Sequence, residues 1–160
     1  MTTPTKPPLS KNHREARAAR MALTQALFQI HATQASAESV KDEFLMHRLG
    51  EREDYPDAPN VALFSTVFET ITRDYESLAS HIQELLPDES TLDKHEPVLQ
   101  AILKAGAAEL LTPHPFAPAP VVISEYVHLT IHFCGKKQGA FVNGILDALA
   151  RKLNKPLSKA

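Results

Sequence analysis

A single cysteine, Cys134, leaves this chain with no internal disulfide and no cysteine-rich zinc site. Such usage fits a reducing compartment. The five glycines are isolated and never take the G-x-x-x-x-G-K spacing, so no glycine loop is available to cradle a nucleotide phosphate. No apolar run approaches the roughly 20 residues needed to cross a bilayer, and MTTPTKPPLS lacks the apolar core of a signal peptide. The expected location is therefore the cytoplasm, with no membrane partner. Convincing apolar-polar alternation is missing too, as is any repeat of fixed period, which excludes sheet and solenoid architectures.

What remains is 160 residues, 43% apolar and 22% charged, enough for one self-sufficient core. The net charge of −2 conceals an asymmetry. Residues 1–20 carry +4, residues 136–160 carry +5, and the stretch between them carries −11. If the fold brings the two basic ends together they make a surface suited to a polyanion; otherwise they are unrelated solvated ends.

Residues 1–11, with Pro4, Pro7 and Pro8, read as a disordered basic, proline-rich arm. A first helix is predicted over 12–34 and a shorter one over 37–49. GEREDYPDAPN, 50–60, is a charged loop whose Asn60 can cap the next helix. Val61, Phe64, Phe68, Ile71, Tyr75, Leu78, Ile82 and Leu85 recur at spacings of three and four, the mark of one long amphipathic helix closed by Pro87. A fourth helix is expected to open within 93–97, where Asp93 and Glu96 have capping-box spacing, and to run to Leu111. TPHPFAPAP is a stiff connector, Pro120 can open a fifth helix, GKKQG breaks it at 135–139, and the last helix is AFVNGILDALARKLN. The architecture is all-α, about six to seven helices in two packed small bundles, 12–88 and 92–154, within a single domain of 12–154 and with a tail at 155–160.

On a helical wheel Ala16, Ala19, Ala22, Leu23, Ala26, Leu27 and Ile30 fall between about 40° and about 180°, which defines the core face of the first helix. Arg17 lies at about 260°, Phe28 at about 280°, Met21 at about 300° and Arg14 at about 320°, all outside that stripe. Arginines followed by an aromatic ring on one exposed line offer single-stranded RNA cations for its phosphates and a flat face for a base. The competing readings are a solvated arginine face and a Phe28 packed beneath another helix. Lys136, Lys137 and Gln138 precede a helix start whose free N–H groups can also hold a phosphate.

Glu125, His128 and His132 have nearly the E-x-x-H spacing of carboxylate-bridged metal sites, but no second such motif accompanies them, so neither a metal nor any other cofactor is expected. Cys134 has no local base. Enzymatic activity is not expected.

VVISEYVHL, followed by a basic turn and FVNGILDALAR, resembles the NusB family of transcription antitermination factors, with its V-V-I-N-E-x-V-x-L and F-V-N-G-V-L-D signatures. AILKAGAAEL is similar to that family's helix ending in Y-E-L, and R-x-x-R-x-x-x-x-Q-A-L-F, 17–28, to its arginine-rich start. The likeness spans about residues 12–154, departing at Ala18, Ala108, Ser124 and the turn CGKKQG. It implies a NusB-like helical fold and binding of single-stranded boxA RNA in ribosomal RNA leaders. It also implies a complex with NusE, the small-subunit ribosomal protein, and indirect contact with other Nus factors and RNA polymerase. Matched position by position, it places RNA contacts on Arg17, Arg20, Phe28 and Phe141; Arg14 joins them by charge alone. Two other readings stay open. One is a protein-interaction scaffold or homodimer with the first helix buried in an interface. The other borrows from the NusB-like domain of ribosomal RNA methyltransferases, although no cofactor-binding α/β pattern is present.

Overall fold

The computed structural model describes residues 9–50, 57–87, 89–113 and 116–157, and among them every regular element is helical. Residues 1–8 of the arm and most of the charged loop lie outside the described residues, and Lys11, expected in the arm, already belongs to α1. Six α-helices succeed one another: α1 Lys11–Thr33, α2 Ala37–Glu43, α3 Val61–Gln83, α4 Pro97–Leu111, α5 Ala119–Cys134 and α6 Lys136–Lys152.

Their starts reflect local chemistry. Ser10, Ser36 and Asn60 each accept a hydrogen bond from the backbone N–H three residues on, at 3.2, 3.1 and 3.0 Å, satisfying donors that a helix leaves unpaired at its first turn. Asn60 also donates its backbone N–H to the Glu15 carbonyl at 2.9 Å, pinning the loop's end to α1. The box expected from Asp93 and Glu96 does not form: Asp93 sits in a 3₁₀ turn, Leu92–Lys94, and α4 opens on Pro97 without a side-chain cap. The second helix continues past Glu43 as a π-helical segment, Phe44–Arg48. Its Phe44 ring stacks on Phe64 at 5.9 Å, and Phe64 meets Phe68 at 5.3 Å. The long third helix holds its apolar stripe but is kinked at Asp74, where φ is −115° and ψ is 18°. The expected break before α6 contracts to Gly135 alone, whose φ of +90° suits glycine, so Lys136 to Gly139 belong to the first turn of α6.

One core joins all of this. α4 is enclosed on every side: from Leu99 to Leu110 each residue is buried, with α1 and α3 packed against it as well as α5 and α6. α5 and α6 form the most extensive helix pair, while α4 packs against both that pair and the N-terminal helices. Contact with α6 is close because Gly106 leaves room for Leu146; a Cβ there would stand 2.8 Å from Leu146 Cδ1.

At the centre lies a correction to the expected RNA-binding set. Arg20 is only 2% exposed. Its Nε donates to Glu109 Oε1 at 2.8 Å and its terminal nitrogen to Oε2 at 2.7 Å, a two-pronged pair, while the Tyr126 hydroxyl donates to Oε1 at 2.9 Å. Burial and the adjoining Glu109 charge push the Tyr126 phenol well above its ordinary range, keeping it a neutral donor. Arg20 is thus a structural tie between α1, α4 and α5, withdrawn from any docking surface. On the wheel it stands at about 200°, about 20° from the apolar stripe, and a guanidinium is tolerated there because both carboxylate oxygens meet it.

Breaking a buried pair leaves an uncompensated charge and costs about 3–5 kcal/mol, whereas replacing both partners by apolar groups of like volume is often neutral. Arg20→Ala is expected to lose stability on that scale in urea denaturation, with Arg20→Met combined with Glu109→Leu, and with Tyr126→Phe to remove the hydroxyl left without an acceptor, recovering most of it. Equal losses in the single and combined variants would refute this role.

Candidate nucleic-acid interface

The N-terminal turns of α1 carry two further arginines, and both are half-exposed. Arg14 Nε donates to Asp57 Oδ1 at 3.1 Å and its guanidinium also donates to the Leu9 carbonyl at 2.5 Å. Arg17 Nε donates to Glu125 Oε2 at 2.8 Å. The other Glu125 oxygen accepts from His13 Nε2 at 2.5 Å, so a single buried carboxylate on α5 fixes two α1 side chains. Burial alone would push the Glu125 carboxyl up. The hydrogen bonds and charges of Arg17 and His13 outweigh that and hold it below the ordinary carboxylate range.

These contacts change the meaning of the Glu125, His128, His132 spacing. Glu125 turns to α1, whereas His128 and His132 are exposed, the latter edge-on to Phe133 at 4.8 Å. The described residues hold no cluster of three or more metal-ligating side chains. Sequence reasoning missed Glu109 and Glu125 as anchors. Their signal was a carboxylate within an otherwise largely apolar stretch on each of two helices, AGAAELL and VVISEYV.

Phe28 is 43% exposed, as its off-stripe position predicts. Its surroundings are mainly apolar, although Arg48, Gln25 and Gln29 also stand in the wall. It lines a groove of about 640 Å³ with Met21, Ala32, Val98 and Phe133, the last itself 47% exposed. Phe133 is followed by Cys134, by Gly135 and then by the exposed Lys136 and Lys137 that open α6. Neither lysine makes an ion pair among the described residues, and the first turn of α6 contains no acidic residue and no side-chain cap. Two ammonium groups therefore add to the positive end of a helix dipole, an arrangement unfavourable until an anion joins it. Gln138 comes next, half-buried. Phe141, also half-buried, is stacked on His95 with ring centres 5.1 Å apart. The structure thus divides the expected set into Arg14 and Arg17 at the start of α1, Phe28 in the groove, and Lys136, Lys137, Gln138 and Phe141 at the start of α6.

Because the folded Glu125 carboxyl lies below its unfolded value of about 4.3, its contribution to stability is complete above that pH and is lost as pH falls through the lower folded value. Glu125→Gln should flatten the decline of urea midpoints between pH 5 and pH 3, and an unchanged decline would contradict the clamp.

A model of the NusB family matches residues 17–151. The transcription antitermination protein NusB of Granulibacter bethesdensis is 38% identical over 154 residues, covering 91% of this chain and 93% of its own. That of Gluconobacter oxydans is 31% identical over 160 residues, covering 96% and 98%. Among solved structures, T. maritima NusB has a TM-score of 0.66 at 25% identity, covering 86% of this chain and 91% of its own. A chain in the crystal structure of antitermination factors NusB and NusE in complex with dsRNA shares the fold, with a TM-score of 0.63 at 24% identity over 87% of this chain and 98% of its own. Matched by the family model over most of its length, and by relatives above 30% identity nearly end to end, the chain belongs to the NusB family.

Proposed function

We propose that this transcription antitermination factor works in the cytoplasm by binding the boxA RNA of ribosomal RNA leaders together with NusE, and so helps RNA polymerase resist premature termination. Family membership makes it an RNA-binding factor and not an enzyme. The observation that carries the finer reading is the division of the surface. Clamped arginines and the uncompensated Lys136–Lys137 turn supply cations, while a separate apolar groove around Phe28 and Phe133 offers a protein contact. Phosphates are held by the first set, with Phe141 at its edge, and an apolar segment of NusE by the second. A fold relative crystallised with NusE and dsRNA supports both partners. Phe28, expected from its wheel position to stack on a base, is assigned instead to the protein contact because Met21, Ala32, Val98 and Phe133 make most of its groove apolar, with Arg48 as the one cation among the described residues of the lining.

A second reading rests on the same groove: exposed Phe28 and Phe133 also fit a homodimer through α1. Gel filtration over a concentration series separates the two, since a dimer that NusE fails to dissociate occupies the proposed site.

Lys136→Gln with Lys137→Gln leaves the fold intact, because neither side chain pairs within it. If each lysine neutralises one phosphate, the salt dependence of boxA binding should fall by about 1.4 log units per log salt, at roughly 0.7 per phosphate for a single strand. Fluorescence anisotropy of a labelled boxA oligonucleotide measures this, and an unchanged slope removes the turn from the interface. Arg17→Glu is a less clean test, because it sets a second carboxylate against buried Glu125.

Phe28→Ala is expected to weaken NusE binding at least tenfold in calorimetry while leaving affinity for RNA alone unchanged. An equal loss for RNA alone would return Phe28 to the role of a base-stacking surface.

A further inference from the structure

α4 contains one cation that neither the core nor the basic surface employs. Lys104 is 9% exposed, and its ammonium stands 5.4 Å from the centre of the Tyr75 ring. Among the described residues it has no carboxylate, carbonyl or hydroxyl partner. A ring face recovers only part of what an ammonium loses on leaving water. Burial accordingly pushes the group below the ordinary lysine range.

Lys104 lines a cavity of about 410 Å³ bounded by α1, α3, the 3₁₀ turn and α4. Gln100 and Leu92 are the other buried residues of its wall, and exposed His31, Ser80 and Asp93 lie at the mouth. The walls are held in place by their own hydrogen bonds. Gln100 donates to the His95 carbonyl at 2.7 Å, and Gln83 bridges the Ser90 carbonyl at 2.8 Å and the Leu92 N–H at 2.9 Å. His31 and Ser80 side chains have no partner among the described residues, so an imidazole and a hydroxyl are available in the lining that Lys104 shares. The volume falls in the range of small-molecule sites, about 300–1,000 Å³.

We propose that this cavity binds a small molecule through a phosphate group, with the oxyanion paired to Lys104 and hydrogen-bonded by Ser80 and His31. Three donors of different kinds match a group with three free oxygens better than a carboxylate with two. Asp93 at the mouth disfavours further negative charge, which selects a singly phosphorylated compound over a polyphosphate or an RNA strand. None of these residues belongs to the proposed RNA or NusE contacts.

The test is an NMR titration of the isotope-labelled full chain with inorganic phosphate, ribose 5-phosphate and acetate at constant ionic strength. Both phosphates should move the amides of residues 80, 92, 100 and 104 saturably, the sugar phosphate more tightly. Lys104→Met should weaken them at least tenfold, and Asp93→Asn, on an exposed side chain, should tighten them several-fold. Acetate binding as tight as phosphate would overturn the ligand class. Shifts that do not saturate by about 50 mM, or displacement of phosphate from these residues by a boxA oligonucleotide, would overturn the site. In phosphate-free buffer Lys104→Met should melt at or above the parent temperature. Melting several degrees lower would make Lys104 a structural partner of Tyr75 and overturn the proposal.

Discussion

The two-pronged contact between Arg20 and Glu109, closed by the Tyr126 hydroxyl, is the constraint on which the arrangement of helices rests. It joins α1, α4 and α5 at one buried point and fixes both the rotation and the axial position of α1, since the planar guanidinium accepts a carboxylate in a narrow range of geometries. Apolar packing of Ala19, Ala22, Leu23 and Ala26 supplies burial but little register, because small side chains tolerate sliding. The polar centre supplies what those alanines cannot.

From that fixed point the surface is determined. With Arg20 turned inward, Arg17, three residues earlier, comes against Glu125, and Arg14 one turn further on reaches Asp57. The same rotation aims Phe28 into the groove with Phe133. Pairing Arg17 with a carboxylate limits the free charge it shows a phosphate. In exchange the side chain is already ordered, so less conformational freedom remains to be lost on binding. Lys136 and Lys137 take the opposite course: unpaired and solvated, they serve long-range attraction better than shape.

Much of the fold was legible because helices announce themselves by period. The stripe from Phe64 to Ile82 and the cap at Asn60 are local signals, and each corresponds to an observed element or boundary. Three features escaped for physical reasons. The π-helical turn at Phe44–Arg48 accompanies the stacking of Phe44 on Phe64, a tertiary contact with no local trace. The first turn of α6 was read as a loop because two glycines and two lysines resemble one; Gly139 is in fact helical and buried against Ile131. Arg20 was grouped with exposed arginines because its partner lies 89 residues away, a separation no window spans. The candidate site was legible in composition but not in pairing. Cations and aromatic were found, whereas Glu109 and Glu125, which decide which cations remain outside, were not.

The enclosure of α4 bears on how the protein is made. This helix leaves the ribosome after α1 to α3 but ahead of α5 and α6, so during synthesis one side of an almost wholly apolar rod has nothing to lie against. At about 5–20 residues per second the interval until α6 is complete amounts to a few seconds. Throughout it, the nascent chain presents the sticky surface that chaperones recognise, and Glu109 emerges to meet Arg20 before Tyr126, 17 residues behind it, has followed.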